Sequence, residues 1–203
     1  MRTLVFARNR ENCIRSFLLL NPYVVTSELA RLFFPFKSGR RKCLQVTQRM
    51  VEAGQINRFM AEEYMHYIGK KSKQWRHIRE VTKFYIYMLE SKEEIIYYKK
   101  EFDYPGGRAD AFYIVGGKVG KKFFLEMDDG QNEFDKIQKY EKFKQSGLWK
   151  REWWADPLKS GRVSFPLILV VSEREIPGSE IVTIKTCKPG SNYLEVLTDG
   201  RIR

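Results

Sequence analysis

Cysteine is scarce in this chain, and the scarcity excludes two chemistries. The three cysteines, Cys13, Cys43 and Cys187, lie in unrelated contexts with no metal-knuckle spacing and no disulfide framework, so a reducing cytoplasmic setting is expected. Long apolar runs are missing as well. None approaches the ~18 residues of a membrane span, and the opening MRTLVFARNRENC lacks the apolar core and small-residue cleavage site of a signal peptide. Internal repeats and low-complexity stretches are also absent. What remains is 203 residues, 43% hydrophobic, enough to bury a core in one or two domains.

Acid is sparse in one part of the chain only. Residues 1–75 carry 14 Lys and Arg against 5 Asp and Glu, whereas residues 76–203 carry 23 against 20. The net charge of +12 is therefore concentrated at the front, the pattern of a polyanion-binding module followed by a more balanced domain. A generic basic surface is the plainer reading of the same numbers. The expected division is 1–73 and 74–203.

Three helical signals fill the first segment. ENCIRSFLLLN spaces Ile14, Phe17 and Leu18 at helical intervals. VTSELARLFF starts at Thr26 as N-cap and stops before Pro35. SGRRKCLQVTQRMVEAG starts at Ser38, turns Leu44, Val46 and Met50 or Val51 to one side, and ends at Gly54. Two short strand-like runs follow, 56–60 and 64–68, around Glu62 and Glu63. Three helices and a hairpin in this order predict a winged helix-turn-helix, whose third helix enters the major groove by its N-terminal end. That end carries Arg40, Arg41 and Lys42, then Gln45, Gln48 and Arg49; the hairpin and its exit add Arg58, Lys70 and Lys71. Arg and Gln suit bidentate contacts to guanine and adenine edges, and Lys suits phosphate. The alternatives are a solvated basic helix and a three-helix unit that docks a protein.

The second segment opens with WRHIREVTKFYIYMLE, a helix with Ile78, Val81, Tyr85, Met88 and Leu89 on one side. His77 falls at the edge of that stripe and reads as a packed residue rather than a ligand; Glu80 lies off it. EIIYYKKEFDY is a strand ending in a turn at Pro105-Gly106-Gly107, and RADAFYIV and KKFFLEMD are two more, joined through GGKVGK. With that turn centred on Lys118, Phe112 opposes Phe124 and Asp110 opposes Glu126. Opposed like charges are destabilising without compensation. A divalent cation compensates naturally, because Mg²⁺, with Mn²⁺ as its substitute, takes oxygen ligands and needs only one or two carboxylates. Asp128 shares the face of Glu126 by strand periodicity and is the third candidate ligand. The plainer readings are a turn off-centre by one residue, or acids that simply sit at a solvated strand end.

Asn132 caps the next helix, EFDKIQKYEKFKQSG, which buries Phe134, Ile137, Tyr140 and Phe143. At ~100° per residue Lys136 leans into that arc, Lys139 lies just outside it and Lys142 points away. An inward lysine beside an acidic strand end can steady a phosphate or a hydroxide, and snorkelling to solvent is its alternative. FPLILVVSE, 165–173, is a strand covered on both faces, and EIVTIKTCK, 180–188, is another. The tryptophans of LWKREWWADP suit core packing better than base stacking. The predicted class is α+β: a winged helix, then an α/β domain with a central mixed sheet.

The stretches HIREVTKFYIYML, RADAFYI, FFLEMDDG and KIQKY resemble the replication-relaxation family of plasmids and other mobile elements, over most of residues 20–175. The second domain of that family is similar to PD-(D/E)XK nucleases. The resemblance implies that Asp110 and Glu126 are metal ligands and that Lys136 is the catalytic lysine, moved from strand to helix. Asp128 stands where the nuclease signature has lysine, so Lys136 or Lys139 has to substitute. The resemblance further implies a cytoplasmic, nucleoid- or plasmid-associated protein acting on double-stranded DNA in replication, relaxation or mobilisation. A Mg²⁺-dependent endodeoxyribonuclease and an inactive DNA-binding regulator both fit. Candidate partners besides DNA are a second copy of the chain and replication or mobilisation proteins.

Overall fold

Apolar residues at helical spacing draw the first three helices around one core. α1 (Arg10–Leu20), α2 (Thr26–Phe33) and α3 (Gly39–Glu52) bury Ile14, Leu18, Leu29, Phe33, Cys43, Val46 and Met50 against one another. The computed structural model describes residues 9–117, 121–130, 134–155 and 164–198. Helix α3 ends as expected, with Ala53 as C-cap and Gly54 at a φ of 67°, a left-handed position that suits glycine. Three details of this region differ from expectation. Cys43 takes the buried place assigned to Leu44. Thr26 is the first residue of α2 rather than its cap, because its hydroxyl donates to the Tyr64 carbonyl and lies 3.1 Å from His66 Nε2. The freed Val25 N–H donates instead to the Glu28 carboxylate. Ser38 makes no side-chain capping bond at the start of α3.

The two short strands form as β2 (Asn57–Met60) and β3 (Tyr64–Tyr67), antiparallel, with Phe59 opposite Met65. A strand not foreseen, β1 (Val24–Val25), pairs with the other edge of β3. His66, at the middle of this sheet, is fully buried, and burial together with the nearby Arg58 guanidinium pushes its pKa down to about 4.

The long helix α4 (Trp75–Glu90) moves the domain boundary. The chain divides into two units between Tyr87 and Met88, not after residue 73. Three anchors explain the shift: Arg79 Nη2 donates to Glu28 at 2.6 Å with both side chains buried, the Thr82 hydroxyl donates to the Pro22 carbonyl at 2.8 Å, and Ile86 joins the first core. Charge composition cannot reveal such anchors, because the two hydrogen bonds join residues more than fifty positions apart.

The second unit is built on a five-stranded mixed sheet. Its strands are β4 (Ile95–Tyr104), β5 (Gly107–Val115), β6 (Lys121–Met127), β7 (Leu167–Val171) and β8 (Ile184–Cys187), in that spatial order. The first three are antiparallel neighbours; β7 runs parallel to β6 and β8 parallel to β7. At the β4–β5 turn, Gly107 is required: a Cβ there would stand 2.6 Å from the Tyr104 hydroxyl. The helix after β6 is α5 (Lys136–Gln145). It lays Ile137, Tyr140 and Phe143 on the sheet face that carries Phe112 and Phe124. Each such side chain contributes about 1.5–3 kcal/mol by leaving water. Two 3₁₀ turns, Leu148–Arg151 and Trp153–Ala155, bring Trp149 and Trp154 into the same core, and α6 (Tyr193–Thr198) ends the described chain.

The last two strands are shorter than expected. β7 is buried along its whole length, as a strand covered on both faces should be. β8 begins only at Ile184, because the Ser179 hydroxyl accepts the N–H groups of Ile181 and Val182 and so competes with the ladder. The proposed turn centre Lys118 and cap Asn132 lie outside the described residues, and α5 starts later than expected, with Asp135 at its N-cap position and no side-chain capping bond. Among the described residues no helix is long and apolar enough to cross a membrane.

Removing one partner of the Glu28–Arg79 pair strands a buried charge. Glu28→Ala is expected to lower stability by about 3–5 kcal/mol, with Glu28→Met/Arg79→Leu recovering much of the loss. Urea unfolding of the three variants measures both.

Candidate functional site

The β5–β6 register follows the hairpin symmetry read from the sequence: Phe112 pairs with Phe124 and Ala111 with Leu125. One step further along both strands stand Asp110 and Glu126. The ladder pairs skip Asp110 on both flanks, and its Oδ2 instead accepts the Met127 N–H at 2.7 Å. On the β4 side the corresponding residue, Glu101, adopts a φ of 50°, a conformation seldom seen outside glycine and asparagine. The β4–β5 register runs through this position without a shift, and strand alternation puts Asp110 on the helix-covered face of Phe112.

Helix α5 completes the arrangement with its first residue. The Lys136 ammonium donates to Glu126 Oε2 and lies 3.4 Å from Asp110 Oδ1. From one turn further on, the Tyr140 hydroxyl donates to Glu126 Oε1 at 2.5 Å. The Tyr140 ring is stacked on Tyr104, with centroids 4.7 Å apart, so the aromatic core fixes the donor. The Glu126 side chain has no solvent exposure, that of Asp110 14% and that of Lys136 29%; a ligand meets Asp110 and Lys136 first.

Two carboxylates and one ammonium leave the cluster one positive charge short of neutrality. Burial, then repulsion from Asp110, pushes the Glu126 carboxyl up from 4.5 to about 8, against the pull of Lys136 and Tyr140. Burial works against the Lys136 ammonium, but the attraction of Glu126 and Asp110 and the hydrogen bonds to both outweigh it and hold its pKa above the ordinary lysine value. Tyr140 is raised by burial and by Glu126. The cluster can thus keep a proton on Glu126 or accept a further cation. Oxygen donors of this kind suit Mg²⁺, which binds through one or two carboxylates and retains water.

Asp128 does not join the pair. Arg174 grips it through Nε and Nη2, both at 2.8 Å, the Ser172 hydroxyl donates to it at 2.7 Å, and the Gly130 N–H donates at 3.2 Å. These bonds outweigh burial and hold its pKa below the ordinary value. Among the described residues no three His, Cys, Asp or Glu side chains gather as a metal cage. Lys139 lies 2.7 Å from Asp135 in an exposed pair one helical turn apart, and of the two lysines it is Lys136 whose ammonium contacts the acids. Tyr140 and Arg174 were missed as site residues. Tyr140 was legible, since it sits one turn from Lys136 on the same face. Arg174 gave no sequence signal, being 46 positions from its partner.

In the first unit, Arg41, Lys42, Gln45 and Arg49 are exposed and Gln48 is half-buried. They lie on the side of α3 opposite Cys43, Val46, Thr47 and Met50. Arg40 is exposed but leans 3.6 Å from Glu63 at the hairpin, and Gln48 donates to Glu52. Arg58 lies 4.1 Å over the Tyr64 ring and Lys71 3.6 Å over Phe59, while Lys70 is exposed. The predicted basic residues are thus gathered on α3, whereas those of the hairpin are drawn onto aromatic rings. No protein-family model matches the chain, and no curated protein or solved structure matches it either.

The raised Glu126 carboxyl has a measurable sign. Glu126 takes up a proton on folding between pH 4.5 and about 8, so its contribution to stability is greatest at the acid end and is lost as pH rises through that window. Glu126→Gln removes the titration. Urea unfolding at a series of pH values is expected to show a downward slope in the native chain that is flatter in the variant.

Proposed function

We propose that the chain binds double-stranded DNA through α3 and carries a nuclease-like site at Asp110, Glu126 and Lys136, serving replication, relaxation or mobilisation of a plasmid or other mobile element. The reading takes the first unit as a winged helix and the second as a PD-(D/E)XK-like domain. The observation that carries it is the convergence of Asp110 and Glu126 on one lysine at the helix-covered face of a mixed sheet. The order of helix, three antiparallel strands, helix and parallel strand supports the same reading.

Asp110 and Glu126 fit a Mg²⁺ or Mn²⁺ ion by donor type and by their missing unit of positive charge. Such an ion, when bound, polarises a scissile phosphate and lowers the pKa of its water. The chain's own residues supply the rest. Asp110, anchored by the Met127 N–H, keeps its second oxygen in place. Tyr140 holds Glu126, and Lys136, the more exposed of the three, offers its ammonium to the phosphate oxygens. The outward arc of α3 positions the duplex, with Arg41 and Gln45 toward bases and Lys42 toward phosphate.

A second reading has its own support: an inactive DNA-binding regulator that keeps the fold. Lys136 bridges the two acids as a cation would, and Asp128 is locked to Arg174. The two readings part on one assay. Under the first, supercoiled plasmid is nicked in Mg²⁺ or Mn²⁺, and Asp110→Ala lowers the rate about 100-fold or more. Under the second, a sequence-specific footprint forms without metal and no nicking occurs; nicking unaffected by Asp110→Ala would remove the proposed site. In either case Arg40→Glu/Arg41→Glu is expected to weaken duplex binding about tenfold or more in a gel-shift titration.

A further inference from the structure

A cleft of about 360 Å³ opens between the start of α1 and the exposed flank of α3, and Arg10, Lys42 and Arg49 line it with Glu11, Phe34 and Val46. Three cations thus share the cleft with one acid. Glu11 pairs with Arg49 at 3.3 Å, but both side chains are substantially exposed, and such a pair is worth little in water. Arg49 can therefore exchange this partner for a stronger anion at small cost.

Arg10 is held differently. Its guanidinium lies 5.3 Å from the centre of the Phe34 ring and 5.7 Å from that of Phe36, which fixes the plane of the fork. Its Nε is buried and has no hydrogen-bond partner among the described residues, so the acceptor for this guanidinium is not supplied from within the described fold. Asn9, which also lines the cleft, is the N-cap of α1 but makes no side-chain capping bond. The first turn of α1 thus adds a partial positive charge without a side-chain acceptor from its cap.

We propose that this cleft holds a phosphate of the DNA backbone, with Arg10 as a phosphate-binding residue beyond the α3 set. The proposal rests on the DNA-binding reading and extends it. Lys42 and Arg49 belong both to the cleft and to the outward arc of α3 that includes Gln45, so an anion seated here is continuous with a duplex lying along α3. A planar, preorganised guanidinium matches phosphate oxygens bidentately, which a lysine cannot do. A backbone contact of this kind adds affinity and orientation without sequence preference.

The test uses fluorescence anisotropy of the full chain with labelled duplexes of two unrelated sequences, over about 50–200 mM salt. Arg10→Met, which keeps the packing on Phe34, is expected to weaken both duplexes to a similar extent, about three- to tenfold, and to lower the log–log salt slope by about one. Glu11→Gln removes the competing acid and is expected to tighten binding. A native chain that binds both duplexes while Arg10→Met leaves affinity and slope unchanged overturns the cleft and leaves the DNA reading standing. A native chain that binds no duplex overturns the DNA reading and the cleft with it. Should Arg10→Met fail to fold, Glu11→Gln decides: tighter binding supports the cleft, and unchanged affinity overturns it.

Discussion

The ammonium of Lys136 between the carboxylates of Asp110 and Glu126 is the interaction on which the second unit's chemistry depends. It needs three separate pieces of folding to coincide. The β5–β6 register sets the acids at neighbouring strand positions, the Met127 N–H holds Asp110 through Oδ2, and the aromatic face of α5 seats the helix so that its first residue reaches inward. Phe112, Phe124, Tyr140 and Phe143 provide that seating. A one-residue slip of β6 would turn Glu126 to the opposite sheet face and abolish the cluster. Hydrophobic packing therefore dictates an electrostatic arrangement that charged groups alone would not choose, since burying Glu126 completely carries a desolvation cost.

The shortfall of one positive charge gives the cluster two stable ways to balance. A proton on Glu126 is one, and an added cation near Asp110 is the other. Both proposed functions share this physics and differ only in which balance the protein uses. If the first holds, Lys136 exchanges part of its contact with the acids for a phosphate. If the second holds, Lys136 is a permanent internal cation and the nuclease-like sheet is a scaffold. The bidentate grip of Arg174 on Asp128 matters to both, because it removes a third carboxylate that would otherwise deepen the charge imbalance.

Much of this was legible in the sequence where the signal was local and periodic. The hairpin symmetry around position 118 matched Phe112 to Phe124, and the ~100° helical step turned Lys136 inward. On α3 the apolar spacing found Val46 and Met50 on the buried side but named Leu44 where Cys43 is buried. The failures share a different cause. The diversion of Asp128 to Arg174, the Glu28–Arg79 pair that draws α4 into the first unit, and the hydroxyl of Thr26 turned to Tyr64 and His66 all depend on partners brought close only by tertiary folding. Strand periodicity put Asp128 on the face of Glu126, but β6 ends at Met127 and periodicity carried no information on what would face the next acid. The early halt of β8 came from Ser179, a side chain competing with backbone pairing at a place where apolar alternation alone reads as strand.

The most direct measurement is a ¹³C NMR titration of the Glu126 side-chain carboxyl in the native chain and in Lys136→Met. A cluster organised as described titrates near pH 8 in the native chain and higher still without the ammonium, because only the Tyr140 hydrogen bond then offsets burial and the repulsion from Asp110. Titration near the ordinary carboxyl value, unmoved by the loss of Lys136, would mean that the three groups do not meet.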